Sequence, residues 1–308
     1  MLARQAWPQA VAAALYIPLL DGRVASADDP HLNGTTLDAA LAPVLQLHAA
    51  AEEGGGCLLD LEVVVEVHCD AHSASLYPAN AVRNRALRLA ETEAVILLDA
   101  DFVPSASMAA RMSDQGYSAA TLGLLQQRLA LVLPAFQTVG GGEEDAELAL
   151  QVARSGKAAL LEQCEVGELE SFHSGHFSKG HRATDFGRWA TAANVYEVEF
   201  QTGFEPYILV HRKHVPWYDE RCRGYFVNKL MHRAHMASLG IRWFVHPGGF
   251  VLHLPHKPAA MKGITRDSGL KDFNNRLFAR ANAQMRAGTY LPFVADPQLC
   301  YTSSLWDS

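Results

Sequence analysis

The sequence has no run approaching the ~20 consecutive apolar residues that a membrane-spanning helix needs. Its best N-terminal candidate, Ala10 to Leu20, is about half that length and contains Pro18. It also lacks the charged start and small-residue cleavage site of a signal peptide, so it reads as a first core strand. Cysteine is sparse. The five residues Cys57, Cys69, Cys164, Cys222 and Cys300 are widely spaced, odd in number and form no C-x-x-C pair, so they say little about compartment. A basic excess is missing too: 26 Lys and Arg stand against 33 Asp and Glu, a formal charge of -7, which argues against a general nucleic-acid binder. Repeats, low-complexity linkers and sharp composition shifts are absent, and a single domain over 1–308 is the simplest organisation.

What the chain does have is apolar content, 49% over 308 residues, enough to bury a substantial core. Val11 to Pro18 predicts a strand stopping at its proline, and Thr36 to Glu53 an alanine-rich helix ended by Gly54-Gly55-Gly56. Leu58 to His68 predicts a second strand. Pro78 to Leu89 has helical spacing, with Ala79, Val82, Ala86 and Leu89 on one face and Arg83, Asn84 and Arg88 elsewhere. The apolar strand from Ala94 follows at once. Strands alternating with helices in this way predict an α/β fold with a mostly parallel central sheet flanked by helices.

Farther on, Leu129–Phe136, Tyr207–His211, Ile241–His246 and Phe250–Leu254 read as strands. Glu143–Ala153, Lys157–Cys164, Phe226–Leu239 and Leu270–Arg286 read as helices. Gly140 to Asp145 reads as a loop, and Ser171 to Trp189, rich in His, Gly and Ser, as a long one of the kind that often carries function.

The strand Ala94-Val95-Ile96-Leu97-Leu98 ends in Asp99-Ala100-Asp101-Phe102-Val103-Pro104. Ligands of buried sheets bind beyond the carboxyl ends of strands, so two carboxylates here lie where chemistry is expected. Carboxylate oxygens are hard ligands suited to Mg2+ or Mn2+, which in turn bridge diphosphate oxygens. The fourteen histidines gather at His173, His176 and His181 and at His246, His253 and His256. Most are ordinary surface or core residues. His253 differs, because it ends the apolar run Phe250-Val251-Leu252: its imidazole suits the coordination sphere begun by Asp101, and Lys257 suits a phosphate. Trp217 to Lys229 mixes aromatics, both charges and a glycine ahead of a helix, which suits a sugar site and equally a capped helix start.

Several spaced motifs, in order, resemble glycosyltransferase family 49, whose members include glucuronyltransferases of the LARGE and β-1,4-glucuronyltransferase type. Tyr77-Pro78-Ala79-Asn80 with Arg83-Asn84 is similar to its Y-P-x-N-x-x-R-N helix, and residues 99–104 to its D-x-D-F-x-P. Gly180-His181-Arg182-Ala183-Thr184-Asp185-Phe186 with Trp189 resembles its G-H-x-x-T-D-[YF] and W. Phe204-Glu205-Pro206-Tyr207, Tyr218-Asp219-Glu220-Arg221, Gly224-Tyr225 with Asn228-Lys229, and His253-Leu254-Pro255-His256 complete the series, which covers roughly residues 7 to 290.

The resemblance implies a GT-A fold, with a nucleotide-binding part over about 7–135 and an acceptor part over about 136–290. It implies an inverting transfer of glucuronic acid from UDP-glucuronate to a glycan hydroxyl, with manganese or magnesium on the diphosphate. Metal ligands would be Asp101 and His253, with Asp99 reaching the ion through water or binding the ribose. Asn80, Arg83 and Asn84 would reach the nucleotide or position the D-x-D loop, and Lys257 would meet phosphate. Asp219, Glu220 and Glu205 are the candidates for general base, since Asn228-Lys229 replaces the acidic pair found there in other inverting families. Arg221 or Lys229 would neutralise the donor carboxylate, and Tyr225, Asn228 and His256 would complete substrate binding. Members of the family are Golgi proteins with a membrane anchor and often a partner glycosyltransferase domain. This chain starts almost at the first catalytic strand, as a fragment or a stand-alone catalytic domain would. The alternatives are another UDP-sugar donor (xylose, N-acetylglucosamine or hexose) and a non-catalytic glycan binder on the same fold.

Overall fold

The computed structural model describes residues 9–20, 37–53, 58–74, 76–175, 177–256 and 269–295. The chain is α/β and divides into two compact units interleaved along the sequence: residues 10–91, 216–235 and 258–308 form one, and residues 1–9, 92–215 and 236–257 the other.

In the first unit, strands β1 (Val11–Leu20) and β2 (Leu59–His68) pair in parallel, from Val11 opposite Leu59 to Leu20 opposite His68. A parallel pair needs a crossover connection, and the helix Leu37–Glu53 lies within it. The strand does not stop at Pro18, contrary to the expectation. β1 pairs only with β2 among the described residues, and an edge strand tolerates a proline because the missing N–H costs no ladder bond on the open side. The Gly54-Gly55-Gly56 stop lies outside the described residues.

The helix Ala79–Leu89 buries Ala79, Val82 and Leu87, but also Asn80 and Asn84, both at 0% exposure. Asn84, expected away from the apolar face, is therefore on the buried one. The helix expected from Phe226 begins two residues later and spans Asn228–Ser238. Phe226 and Val227 hold φ of 73° and 52°, a left-handed conformation that no α-helix continues. The helix Leu270–Arg286 matches its predicted limits and packs Leu277, Ala281 and Met285 with Cys222, Met231 and Tyr290.

The second unit contains two sheets. One has the order β3 (Ala94–Leu97), β9 (Tyr207–His211), β5 (Leu129–Leu133), β10 (Arg242–Val245) and β8 (Tyr196–Val198). The other has the order β4 (Phe102–Pro104), β11 (Val251–His253), β6 (Ala135–Thr138) and β7 (Leu169–Ser171). The single strand expected over Leu129–Phe136 is two, because Pro134 has no N–H to donate and the chain changes sheet there. Across the described residues three strand pairings are parallel and five antiparallel, so the sheets are mixed rather than mostly parallel. Crossing strands such as β9, antiparallel to both β3 and β5, are the reason.

The predicted loop through Asp145 ends at Gly142, where the Asp145 carboxylate accepts the Gly142 N–H at 2.7 Å and opens the helix Glu143–Ser155. The stretch from Ser171 to Trp189 holds short 3-10 turns, Ser178–Gly180 and Arg182–Thr184, and the start of the helix Phe186–Thr191. Two helices the pattern did not predict, Ala106–Ser113 and Gln115–Leu125, follow β4. The unit's core joins Phe102, Met108, Leu125, Leu131, Leu133, Phe172, Tyr207, Leu209 and Val251.

Candidate metal centre and polar anchor

β3 ends at Leu97 and β4 begins at Phe102, so the four residues between them turn the chain from one sheet into the other and carry Asp99 and Asp101. β11 runs antiparallel to β4 with His253 opposite Phe102, and the Leu254 N–H donates to the Asp101 carbonyl at 2.7 Å. That register brings His253, and His256 one turn of loop later, to the Asp101 side chain. Asp101 Oδ2 is 3.4 Å from His253 Nε2 and 2.9 Å from His256 Nε2. One ligand atom from each of the three residues lies within 4.8 Å of the others.

Burial would raise the Asp101 carboxyl, and the nearby Asp99 charge pushes the same way. Hydrogen bonds from His253 and His256, with the electrostatic pull of His253, outweigh both and hold it below its usual value. Its second oxygen, Oδ1, is buried and has no hydrogen-bond partner among the described residues. A buried carboxylate oxygen without a donor is costly to leave unmet. A divalent cation would meet it. Ligands at right angles on ~2.1 Å bonds stand ~3 Å apart, and the two Asp101–histidine distances of 3.4 and 2.9 Å are close to that.

Asp99 has another contact. The hydroxyl of Tyr207, at the start of β9, donates to Asp99 Oδ2 at 3.1 Å. Tyr207 is almost fully buried, and burial first, then the charges of Asp99 and Asp101, push its phenol well above the ordinary range, so it stays a donor. No site role follows for Tyr207 from the sequence pattern, although it closes the Phe204-Glu205-Pro206-Tyr207 motif. Glu205 lies two residues away in the same unit, its N–H donating to the Gly180 carbonyl at 3.0 Å.

In the other unit, the buried asparagines of the helix Ala79–Leu89 hold the segment 218–220. Asn80 Nδ2 donates to the Asp219 carbonyl at 2.7 Å. Asn84 Nδ2 donates to the Tyr218 carbonyl at 2.9 Å and to Glu220 Oε1 at 2.8 Å, while its Oδ1 accepts the Tyr218 N–H at 2.8 Å. Arg83 bonds Asn80 Oδ1 at 3.2 Å and lies over the Tyr218 ring.

The Asp219 side chain is fully buried and accepts from Arg221 Nε at 2.9 Å, Arg221 NH2 at 2.5 Å, the Arg221 N–H at 3.1 Å and the Tyr290 hydroxyl at 3.0 Å. Glu220 Oε2 accepts the Ala295 N–H at 2.9 Å. Asn228 bonds the Gly224 carbonyl at 3.3 Å and receives the Lys229 N–H at 2.7 Å, and Tyr225 is partly exposed. Tyr290, distant in sequence and outside every motif, gave no signal. Lys257 and His176 lie outside the described residues.

The structure thus gathers Asp101, His253 and His256 into one cluster, with Asp99 tied to Tyr207 in the same unit. It gathers Asn80, Arg83, Asn84, Asp219, Glu220 and Arg221 into a second network in the other. Comparison with known proteins gives this arrangement a family. Curated relatives include a xylosyl- and glucuronyltransferase LARGE2s from Danio rerio, 34% identical over 63% of this chain and 24% of its own length. LARGE1 from Gallus gallus is 33% identical over 63% and 24%, and LARGE2 from Mus musculus 33% over 66% and 28%. The chain therefore spans about a quarter of the length of these relatives. Among solved structures, GalNAc-T7 with UDP, GalNAc and Mn2+ is similar over 94% of this chain and 53% of that one, at 11% identity and a TM-score of only 0.36. The profile of glycosyltransferase family 49, described as "Glycosyl-transferase for dystroglycan", matches residues 46–288, and the chain belongs to that family.

Proposed function

We propose that the chain is a metal-dependent, inverting glycosyltransferase of the GT-A type that transfers a sugar, first of all glucuronic acid from UDP-glucuronate, to a glycan hydroxyl. Family membership and the xylosyl- and glucuronyltransferase names of its relatives support the reaction class. The observation that carries the metal dependence is the Asp101–His253–His256 cluster, with a buried Asp101 oxygen that no donor meets among the described residues. On this reading Asp101, His253 and His256 hold Mn2+ or Mg2+. Asp99 would serve the same ion, which would supply charge stabilisation for the leaving diphosphate.

The reaction forms one bond between the acceptor oxygen and C1 of the sugar. It breaks the bond from C1 to the diphosphate, whose electron pair leaves with UDP. The acceptor's proton must go to a base. Of the three candidates, Asp219 is saturated by Arg221 and Tyr290, and both Glu220 oxygens already accept hydrogen bonds, so these carboxylates serve as anchors. Glu205 is the assignment that remains. Arg221, committed to Asp219, is a poor receptor for a donor carboxylate, which leaves that role to Lys229. Asn80, Arg83 and Asn84 act by positioning, while Tyr225, Asn228 and, at phosphate, Lys257 complete the substrate contacts. A Golgi setting and a partner glycosyltransferase domain belong to the same reading. Among the described residues no helix is long and apolar enough to cross a membrane.

The test is UDP release from a panel of UDP-sugars with and without Mn2+, for wild type and Asp101→Ala. Mn2+-dependent release that peaks with UDP-glucuronate and disappears in Asp101→Ala is the expected result. A peak with UDP-xylose would move the assignment to the other activity in the relatives' names. Absence of Mn2+-dependent UDP binding would overturn the enzyme reading in favour of glycan binding.

A further inference from the structure

The Gly180–Trp189 motif supplies no ligand, base or substrate contact in the proposed reaction. Its geometry leads back to the metal centre. Gly180 ends a 3-10 turn against the Phe177 ring: a Cβ at this position would stand 2.9 Å from Phe177 and 3.4 Å from the Glu205 side chain, so a larger residue would have to push the ring aside. Through its carbonyl, Gly180 accepts the Glu205 N–H at 3.0 Å, which ties the turn to the segment entering β9. His181, 3% exposed, then lies parallel to the Tyr207 ring, with centroids 6.1 Å apart and planes at 17°, and meets Phe172 edge-on. The Phe102 ring packs against Tyr207 as well, with centroids 4.2 Å apart and planes tilted by 39°. Packed against these rings, Tyr207 donates its hydroxyl to Asp99 Oδ2 at 3.1 Å. Asp185 fixes the far end of the motif by capping the helix Phe186–Thr191 through the Arg188 N–H at 3.1 Å.

We propose that Tyr207 is a positioning residue for the metal centre: its hydroxyl fixes the Asp99 carboxylate beside Asp101, and the His181 turn fixes Tyr207. The inference rests on the metal reading given above. A phenol donor at hydrogen-bond distance favours the one Asp99 rotamer that places its oxygen against the Tyr207 hydroxyl. Partners that orient a ligand set in this way typically govern metal affinity by about ten- to a hundredfold.

The experiment is direct Mn2+ binding, by calorimetry or by electron paramagnetic resonance of free Mn2+, without nucleotide or acceptor. It compares wild type, Tyr207→Phe, Asp99→Ala, the double variant and Asp101→Ala. Tyr207→Phe keeps the ring in its packed place and removes only the hydroxyl, and an unchanged thermal midpoint checks the fold. The expected result is a Kd for Mn2+ raised about tenfold by Tyr207→Phe, with no further change when Tyr207→Phe is added to Asp99→Ala. His181→Ala is expected to shift Kd the same way through loss of the stacking face. A wild-type Kd in Tyr207→Phe, while Asp101→Ala loses binding, would overturn the inference and leave the metal reading standing. So would an effect of Tyr207→Phe that persists undiminished in the Asp99→Ala background. Wild-type Mn2+ binding by Asp101→Ala would remove the metal reading and this inference together.

Discussion

Asp101 and Asp219 are both carboxylates held by the fold, and their surroundings are opposite. Asp219 is buried with every contact made: a two-pronged guanidinium, a backbone N–H and a tyrosine hydroxyl. Asp101 is a third exposed, faces two imidazoles and keeps one buried oxygen without a donor among the described residues. The contrast teaches that acidity and position in a motif do not distinguish a ligand from a strut. The count of unmet acceptor sites does. A saturated carboxylate has nothing left to offer a metal or a proton, whereas an unsaturated one surrounded by imidazoles is arranged for a cation.

The largest way to break this comparison is Asp101→Ala. It should lower metal-dependent turnover by about a thousandfold or more while leaving the thermal midpoint within a degree or two of wild type. A comparable loss of activity in Asp219→Asn at unchanged stability would erase the distinction. Glu205→Gln comes next: kcat should fall by about a hundredfold or more, with Mn2+ affinity unchanged, as expected for loss of a base rather than a ligand. Steady-state kinetics beside the metal titration checks it.

For Asp219 the effect should appear in stability. Asp219→Ala strips the partners from Arg221 and Tyr290 and should cost about 3 kcal/mol in urea unfolding, less than a fully buried pair because the Arg221 side chain is 40% exposed. Asn84→Ala removes three hydrogen bonds from a fully buried site and should cost about 2 kcal/mol by the same measurement, again with Mn2+ binding intact.

The smallest and broadest effect is on pH. His246 accepts the N–H groups of Gly248 and Gly249 at Nδ1 and faces the Tyr117 hydroxyl with Nε2. Burial, then the charges of Arg111 and Lys157, lower its imidazole to about 4, and burial lowers His235 to about 4 as well. Both stay neutral in the folded chain while an unfolded histidine takes up a proton near pH 6.5. Stability is therefore full above about pH 6.5 and declines as pH falls toward 4, the window set by those two values. Thermal midpoints across that range should drop, and His246→Asn, which keeps an acceptor and removes the titration, should flatten the decline.

Much of the Asp101–His253 cluster is legible in the chain because it is local. An apolar run, two aspartates one residue apart, and a second apolar run ending in histidine are each readable within a dozen positions. The sequence offers His256 as a substrate contact; its place 2.9 Å from Asp101 shows only once β11 is paired with β4, because a loop residue carries no register of its own. The polar anchor was far less legible. Asn80 meets Asp219 across 139 positions and Tyr290 meets it across 71, distances at which no periodicity informs. Its apolar face misled as well, since two buried asparagines occupy it. The fold was read correctly in class but not in pairing sense. Proline at 134 and the positive φ at Phe226 and Val227 moved boundaries that hydrophobic spacing alone had set.

The interleaving of the two units has a consequence for synthesis on the ribosome. Residues 92–215 emerge between the first two segments of the other unit, and the Tyr290 hydroxyl that completes the Asp219 site emerges 71 residues after the carboxylate it serves. A nascent chain halted anywhere between them carries a carboxylate whose tyrosine partner has not yet been made, so that unit can reach its final packing only after Tyr290 has left the exit tunnel.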